Sequence, residues 1–229
     1  MGIAENLARV QTRIQEATIA AGRPVGSVRL LAASKRTDAQ GIIETIGLGH
    51  TLFGENRAQA LRDKYDIVAP KHPEADWHFI GYLQKNKVKY IVGRASMVHS
   101  LDSLDLAMAL SKRIDQQRQQ GVTVEPLSVL VQIKLGTEDT KTGIEPEPAL
   151  QLCEQLMRMP NLRLQGLMNI APLEGEPERW FSEMATLAER ARREGFPIQE
   201  MSMGMSGDME AAIQYGSTIV RVGSDIYWA

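Results

Sequence analysis

Short runs of β-branched or continuously apolar residues alternate along this chain with longer stretches whose apolar residues recur at helical spacing. The short runs are 28–34, 51–54, 77–81, 97–101, 127–135, 162–170, 200–205 and 218–226. Between them, Ile42, Ile43 and Ile46 form one helical stripe, and Leu104, Leu106, Met108, Leu110 and Ile114 form another. Strands alternating with helices imply parallel βαβ units, and eight such units point to a single (β/α)8 TIM barrel. A doubly wound open sheet is the alternative. The most apolar run, Leu127-Ser128-Val129-Leu130-Val131-Gln132-Ile133, reads as a strand buried on both faces.

The two ends refine this picture. Ile3, Leu7, Val10, Ile14 and Ala17 predict an opening amphipathic helix that stops at Gly22 and Pro24. After the last strand's polar turn only Asp225-Ile226-Tyr227-Trp228-Ala229 follows, too little for an eighth outer helix. The extra N-terminal helix is therefore expected to cover that part of the barrel. No linker, repeat or low-complexity tract interrupts the chain, so one domain over 1–229 is the expectation.

Composition narrows the function classes. With 229 residues, 43% hydrophobic and 24% charged, and a formal net charge of −2, the chain is an ordinary globular one with no basic field for nucleic acid. It has no apolar run of about 18 residues and no secretory pattern after Met1, so a cytoplasmic protein away from membranes is expected. The single cysteine, Cys153, lies in a helical context as a buried, inert thiol. Gly204-Met205-Ser206-Gly207-Asp208 resembles a nucleophile elbow until Asp208 replaces the required glycine. His50, His72, His78 and His99 show no metal-ligand spacing.

In a barrel of this kind the chemistry gathers at the C-terminal ends of the strands. The first strand ends Ala33-Ser34-Lys35. A lysine there either loses its proton on burial and becomes a Schiff-base nucleophile, or extends its ammonium to solvent. The second ends Phe53-Gly54-Glu55-Asn56, where Gly54 would allow close approach of a ligand and Asn56 would contact it or cap the next helix. His78 and Met168 stand at the ends of the third and sixth strands, and each taken alone reads more readily as core than as site. The last two strands run into Met205-Ser206-Gly207 and Gly223-Ser224, paired Gly/Ser turns suited to a phosphate dianion. Arg221 would lie inside the barrel mouth and, being buried, should meet an acceptor.

These segments, Leu31-Ala32-Ala33-Ser34-Lys35, Phe53-Gly54-Glu55-Asn56, Trp77-His78-Phe79-Ile80-Gly81, Gly166-Leu167-Met168, Ser202-Met203-Gly204-Met205-Ser206 and Arg221-Val222-Gly223-Ser224, resemble the YggS/PROSC family of pyridoxal phosphate homeostasis proteins. The resemblance implies the barrel of the alanine racemase N-terminal domain and pyridoxal 5'-phosphate (PLP) as cofactor. It implies Lys35 as the Schiff-base lysine, Ser206, Gly223 and Ser224 as phosphate ligands, and Arg221 facing the pyridine nitrogen. Asn56, His78, Met168 and Met205 match positions that line the cofactor. Arg57 stands where many relatives carry an aromatic residue, and the tail is shorter than usual.

A permanent cation opposite the pyridine nitrogen disfavours its protonation and makes the ring a poorer electron sink. No further domain is expected to supply a second base. A non-catalytic carrier or regulator of PLP is therefore expected, monomeric, with the cofactor and apo-enzymes that accept it as partners. The competing readings are a PLP-dependent amino-acid racemase or related enzyme, and a phosphosugar Schiff-base aldolase without cofactor.

Overall fold

A computed structural model describes residues 2–136, 142–172 and 175–228, so Met1 and Ala229 of the terminal segments fall outside it. Its strands are β1 (Arg29–Ala33), β2 (Leu52–Glu55), β3 (Asp76–Phe79), β4 (Met97–Leu101), β5 (Leu127–Ile133), β6 (Leu162–Asn169), β7 (Glu200–Ser202) and β8 (Ile219–Val222). They form a closed barrel in sequence order, and every neighbouring pair is parallel, including β8 with β1. The helices are α1 (Ile3–Ala20), α2 (Ala39–Gly47), α3 (Ala58–Val68), α4 (Leu104–Gln119), α5 (Pro146–Leu156), α6 (Pro177–Arg193), α7 (Met209–Gln214) and α8 (Ser224–Tyr227). A 3₁₀ turn at Lys85–Tyr90 replaces the helix after β3. The expected (β/α)8 barrel with an added N-terminal helix is the observed architecture, and the open sheet is excluded by the β1–β8 pairing.

Alternation along each strand divides the buried residues into two sets. Leu30 and Ala32 of β1, Phe53 of β2 and Val220 and Val222 of β8 face outward into the large core beneath the helices. Leu31, Leu52, Met97, Leu130, Met168 and Ile219 form a separate cluster inside the barrel. Strands approach closely where glycine stands. A Cβ on Gly166 of β6 would sit 1.8 Å from the Glu200 carbonyl oxygen of β7. Gly54 faces the Leu31 side chain, 2.1 Å from where its own Cβ would be, so it serves interior packing and not the approach of a ligand.

Two strands are shorter than the apolar pattern implied. β7 ends at Ser202 because the chain turns at Gly204, whose φ of +92° breaks an extended run. β8 ends at Val222, and Ser224–Tyr227 coils into one helical turn. α1 supplies the missing cover, packing against α7 and α8. Leu7, Val10 and Ile14 are buried on its inner face, and Asn6 Nδ2 donates to the Ile226 carbonyl at 3.2 Å. Arg13 of α1 donates to Asp225 at 2.7 Å, to Glu210 at 2.8 Å and to the Ser206 carbonyl at 3.0 Å, tying both Gly/Ser turns to one helix.

The opposite side of the mouth is held by a buried charge. Glu55 is fully buried at the end of β2, where its Oε2 accepts from Lys64 Nζ at 2.5 Å. Its Oε1 accepts from the Asn56 backbone N–H at 2.8 Å, while Lys64 also donates to the Ser34 carbonyl at 2.7 Å. One ion pair thus fixes the turn that presents Lys35 and the turn that presents Asn56. No helix among the described residues is long and apolar enough to cross a membrane.

Two outcomes follow from this packing. Gly166→Ala should lower stability by about 3 kcal/mol, since main chain and not a movable side chain blocks the new methyl. A denaturant melt should show the loss as a lower midpoint with an unchanged slope. Lys64→Met should cost about 3 kcal/mol by leaving the Glu55 carboxylate buried without its cation. Adding Glu55→Gln to Lys64→Met should recover part of that loss in the same melt.

Candidate functional site

A cavity of about 340 Å³ opens at the C-terminal ends of the strands, within the size range of small-molecule sites, about 300–1,000 Å³. Lys35, Asn56, Met205, Ser206, Arg221, Gly223 and Ser224 all line it. Seven of the nine residues singled out in the sequence therefore share one pocket. The other two, His78 and Met168, are buried inside the barrel and do not line it. A second cavity of about 350 Å³ lies at the strands' N-terminal ends, between α1, β1 and β2. Size does not separate the two, but chemistry does. The charged residue of the second cavity, Arg29, is already paired with Glu200 at 2.6 Å.

Lys35 lies two residues beyond β1, and its side chain is exposed. Arg36 beside it places its guanidinium 4.5 Å from the centre of the Trp228 ring, which shows what the short tail contacts. Tyr227, in the same tail, lies 3.3 Å from the Thr45 hydroxyl. Asn56 is not a helix cap: Arg57 holds that position for α3, and Asn56 faces the pocket. Arg57 lines an adjoining depression with Gln59, Asp63 and Lys87.

The two Gly/Ser turns meet directly. Ser206 Oγ and Ser224 Oγ are 2.8 Å apart, and Gly207 and Gly223 flank them in the lining. A Cβ on Gly223 would sit 2.6 Å from the Ala33 carbonyl, so only glycine lets the end of β8 close against the end of β1. Ser206 is not a helix cap either, since Asp208 occupies that position for α7.

Arg221 projects inward from β8 and is 5% exposed. Its Nη1 donates to the Ser202 carbonyl at 2.7 Å and to Ser202 Oγ at 2.8 Å, and its Nη2 donates to the Asn169 carbonyl at 2.8 Å. These are the acceptors that a buried guanidinium requires. Burial pushes its pKa down to about 10, opposed by the charge of Asp208, so the group is a cation at neutral pH.

Several residues of the site were not singled out by sequence. Gln132 lines the pocket and donates through Nε2 to the Thr142 carbonyl at 2.9 Å. Its signal was a lone amide near the end of the most apolar strand. Tyr82 and Ile170 also line the mouth, but nothing in their local sequence distinguishes them from ordinary loop residues. Glu55 had a signal in the form of a carboxylate inside an apolar run, whereas Arg13 of α1 had none.

The family model of the alanine racemase N-terminal domain matches residues 3–229. The chain is 39% identical over 231 residues to the pyridoxal phosphate homeostasis protein of Aquifex aeolicus, covering 99% of this chain and 98% of that protein. It is 40% identical over 235 residues to the protein of that name in Pasteurella multocida, covering 100% and 98%. Among solved structures, PipY of Synechococcus elongatus PCC7942 with PLP bound is 30% identical, with a TM-score of 0.84 over 98% of this chain and 99% of its own. A match spanning nearly every residue, on a barrel whose mouth gathers the lysine, the arginine and both serine turns, places the chain in the alanine racemase N-terminal domain family, together with the pyridoxal phosphate homeostasis proteins.

Proposed function

We propose that this protein binds pyridoxal 5'-phosphate at the barrel mouth, covalently through Lys35, and serves the cell's supply of that cofactor rather than turnover of a substrate. The donor set fits the group at three points. The Lys35 amine matches its aldehyde, the Ser206 and Ser224 hydroxyls with Gly207 and Gly223 match its phosphate, and the Arg221 guanidinium matches its ring nitrogen. Asn56 and Met205 would flank the ring, while His78 and Met168 would act from beneath. When bound, PLP supplies an aldehyde carbon for amines and a pyridine ring that withdraws electrons.

The observation that carries the reading is Arg221. Its guanidinium is held by three acceptors and remains a cation at neutral pH. A fixed positive charge facing the ring nitrogen opposes protonation there, and each 1.4 kcal/mol or so of repulsion lowers that nitrogen's pKa by about one unit. This arrangement limits carbanion chemistry. Lys35 supports the same reading from the other side. Its exposure leaves the covalent link open to incoming amines, as release to an acceptor requires. The chemistry is consistent with a cytoplasmic monomer that hands PLP to apo-enzymes.

One set of measurements on the loaded protein tests this. Borohydride reduction should fix the cofactor on the peptide containing Lys35, and incubation with an apo-enzyme should restore that enzyme's activity. Chiral analysis of alanine and serine should show racemisation orders of magnitude below the roughly 1–10³ per second of typical enzymes. Robust racemisation abolished by Lys35→Ala would establish the enzyme reading instead. A protein that never turns yellow with PLP would favour the phosphosugar aldolase.

The phosphate contact has its own test. Ser206→Ala should weaken PLP binding about ten- to a hundred-fold, the worth of a hydrogen bond to a charged acceptor. Pyridoxal, which lacks the phosphate, should bind far more weakly than PLP. Equal affinity for the two in a titration would remove the serine turns from the site.

A further inference from the structure

Below the pocket, the barrel interior holds a column of polar groups that the proposed function leaves unused. Ser202 Oγ, which accepts from Arg221 Nη1 at 2.8 Å, lies 2.8 Å from His99 Nδ1. His99 Nε2 lies 2.9 Å from His78 Nδ1, and His78 Nε2 lies 3.5 Å from Asp76 Oδ2. Asp76 also accepts from the Ser96 hydroxyl. The column crosses from β8 through β7, β4 and β3, reaching the N-terminal face of the barrel, where Asp76 is partly exposed. His99 is fully buried and His78 nearly so.

The chemistry of each member fixes the direction of every bond. A guanidinium only donates, so Ser202 Oγ accepts from Arg221 and its own proton is left for His99 Nδ1. Neutral His99 then carries its hydrogen on Nε2 and donates to His78 Nδ1. With its Nδ1 accepting, His78 carries its hydrogen on Nε2, 3.5 Å from the Asp76 carboxylate. The reverse direction fails at both ends for neutral rings, because His78 Nε2 would present a lone pair to a carboxylate and Ser202 would lose the acceptor for its proton. Burial holds His99 well below the ordinary histidine range, and the Arg221 and Arg29 guanidiniums add to the effect. Burial works against the charge of Asp76, yet the hydrogen bonds from His78 and Ser96 and the nearby Arg29 keep it below the usual carboxylate range.

We propose that His99, oriented by His78 and Asp76, is a positioning residue for the cofactor site: it fixes the Ser202 hydroxyl as an acceptor and so locks the Arg221 guanidinium at the pocket floor. Without that acceptor the buried hydroxyl proton goes unpaired, and the serine side chain is free to rotate off the guanidinium and release one anchor. The column prevents that rotation. This inference deepens the PLP reading, on which its affinity measurements depend.

Two measurements test it. Nitrogen-15 NMR of the imidazoles in cofactor-free protein should find the hydrogens of His99 and His78 on Nε2, with Nδ1 of each ring accepting. A hydrogen on Nδ1 of His99, or a cationic His99, would overturn the proposal whether or not the protein binds PLP. The second is a mutant cycle read as PLP affinity. Ser202→Ala and His99→Leu should each weaken binding about tenfold. In the Ser202→Ala background, His99→Leu should weaken it no further, because both act through one hydroxyl. His99→Asn, which keeps an acceptor for Ser202, should restore most of the affinity. Independent, multiplying losses would mean that His99 acts by packing alone. Should the leucine variant not fold, Ser202→Ala with His99→Asn and the tautomers still decide the matter. Wild-type protein that fails to bind PLP at all would sink the functional reading and leave the tautomers as the test of this one.

Discussion

A guanidinium buried inside a parallel barrel must be given acceptors by the barrel itself, and Arg221 organises the interior around that requirement. The strands' own backbone bonds are committed to their neighbours, so free acceptors arise only where strands end. Arg221 finds them there, in the carbonyls of Ser202 and Asn169 at the ends of β7 and β6. The short length of β7, set by the turn at Gly204, is what leaves the Ser202 carbonyl available. The inward faces thus divide into an apolar cluster, Leu31, Leu52, Met97, Leu130, Met168 and Ile219, and a polar column descending from the arginine. Replacing a member of the column with an apolar residue changes more than volume, since each group there has its donor or acceptor role set by the next.

The mouth above the arginine is held from two sides by charge. Arg13 reaches from α1 to both Gly/Ser turns, and Glu55 with Lys64 braces the turns after β1 and β2. The two devices differ in kind. Arg13 is partly exposed and bonds mainly to groups near the surface, so salt and solvent weaken it. Glu55 is fully buried, and its worth lies in the penalty for leaving it unpaired. Between these braces Lys35 stays exposed, on a rigid frame but open to solvent. The covalent link proposed for Lys35 would need that combination of fixed geometry and open access.

The sequence by itself determined the number and order of strands, the added helix, and seven of the residues that line the mouth. In a barrel of parallel strands every C-terminal end points the same way, so residues just past eight strand ends converge without any further information. Lys35, Asn56, Ser206, Arg221, Gly223 and Ser224 were legible for that reason. Only the tertiary structure decided which buried groups meet across the barrel and which residues brace it from outside. His99 and Ser202 are 103 positions apart, and Arg13 and Ser206 are 193 apart. No local periodicity encodes such pairings. They depend on strand tilt, on register shifts such as the one between Val129 and Leu130, and on where a glycine ends a strand. His78 shows the boundary: its place on an inward strand position followed from alternation, but its partners, His99 and Asp76, followed from the closed geometry alone.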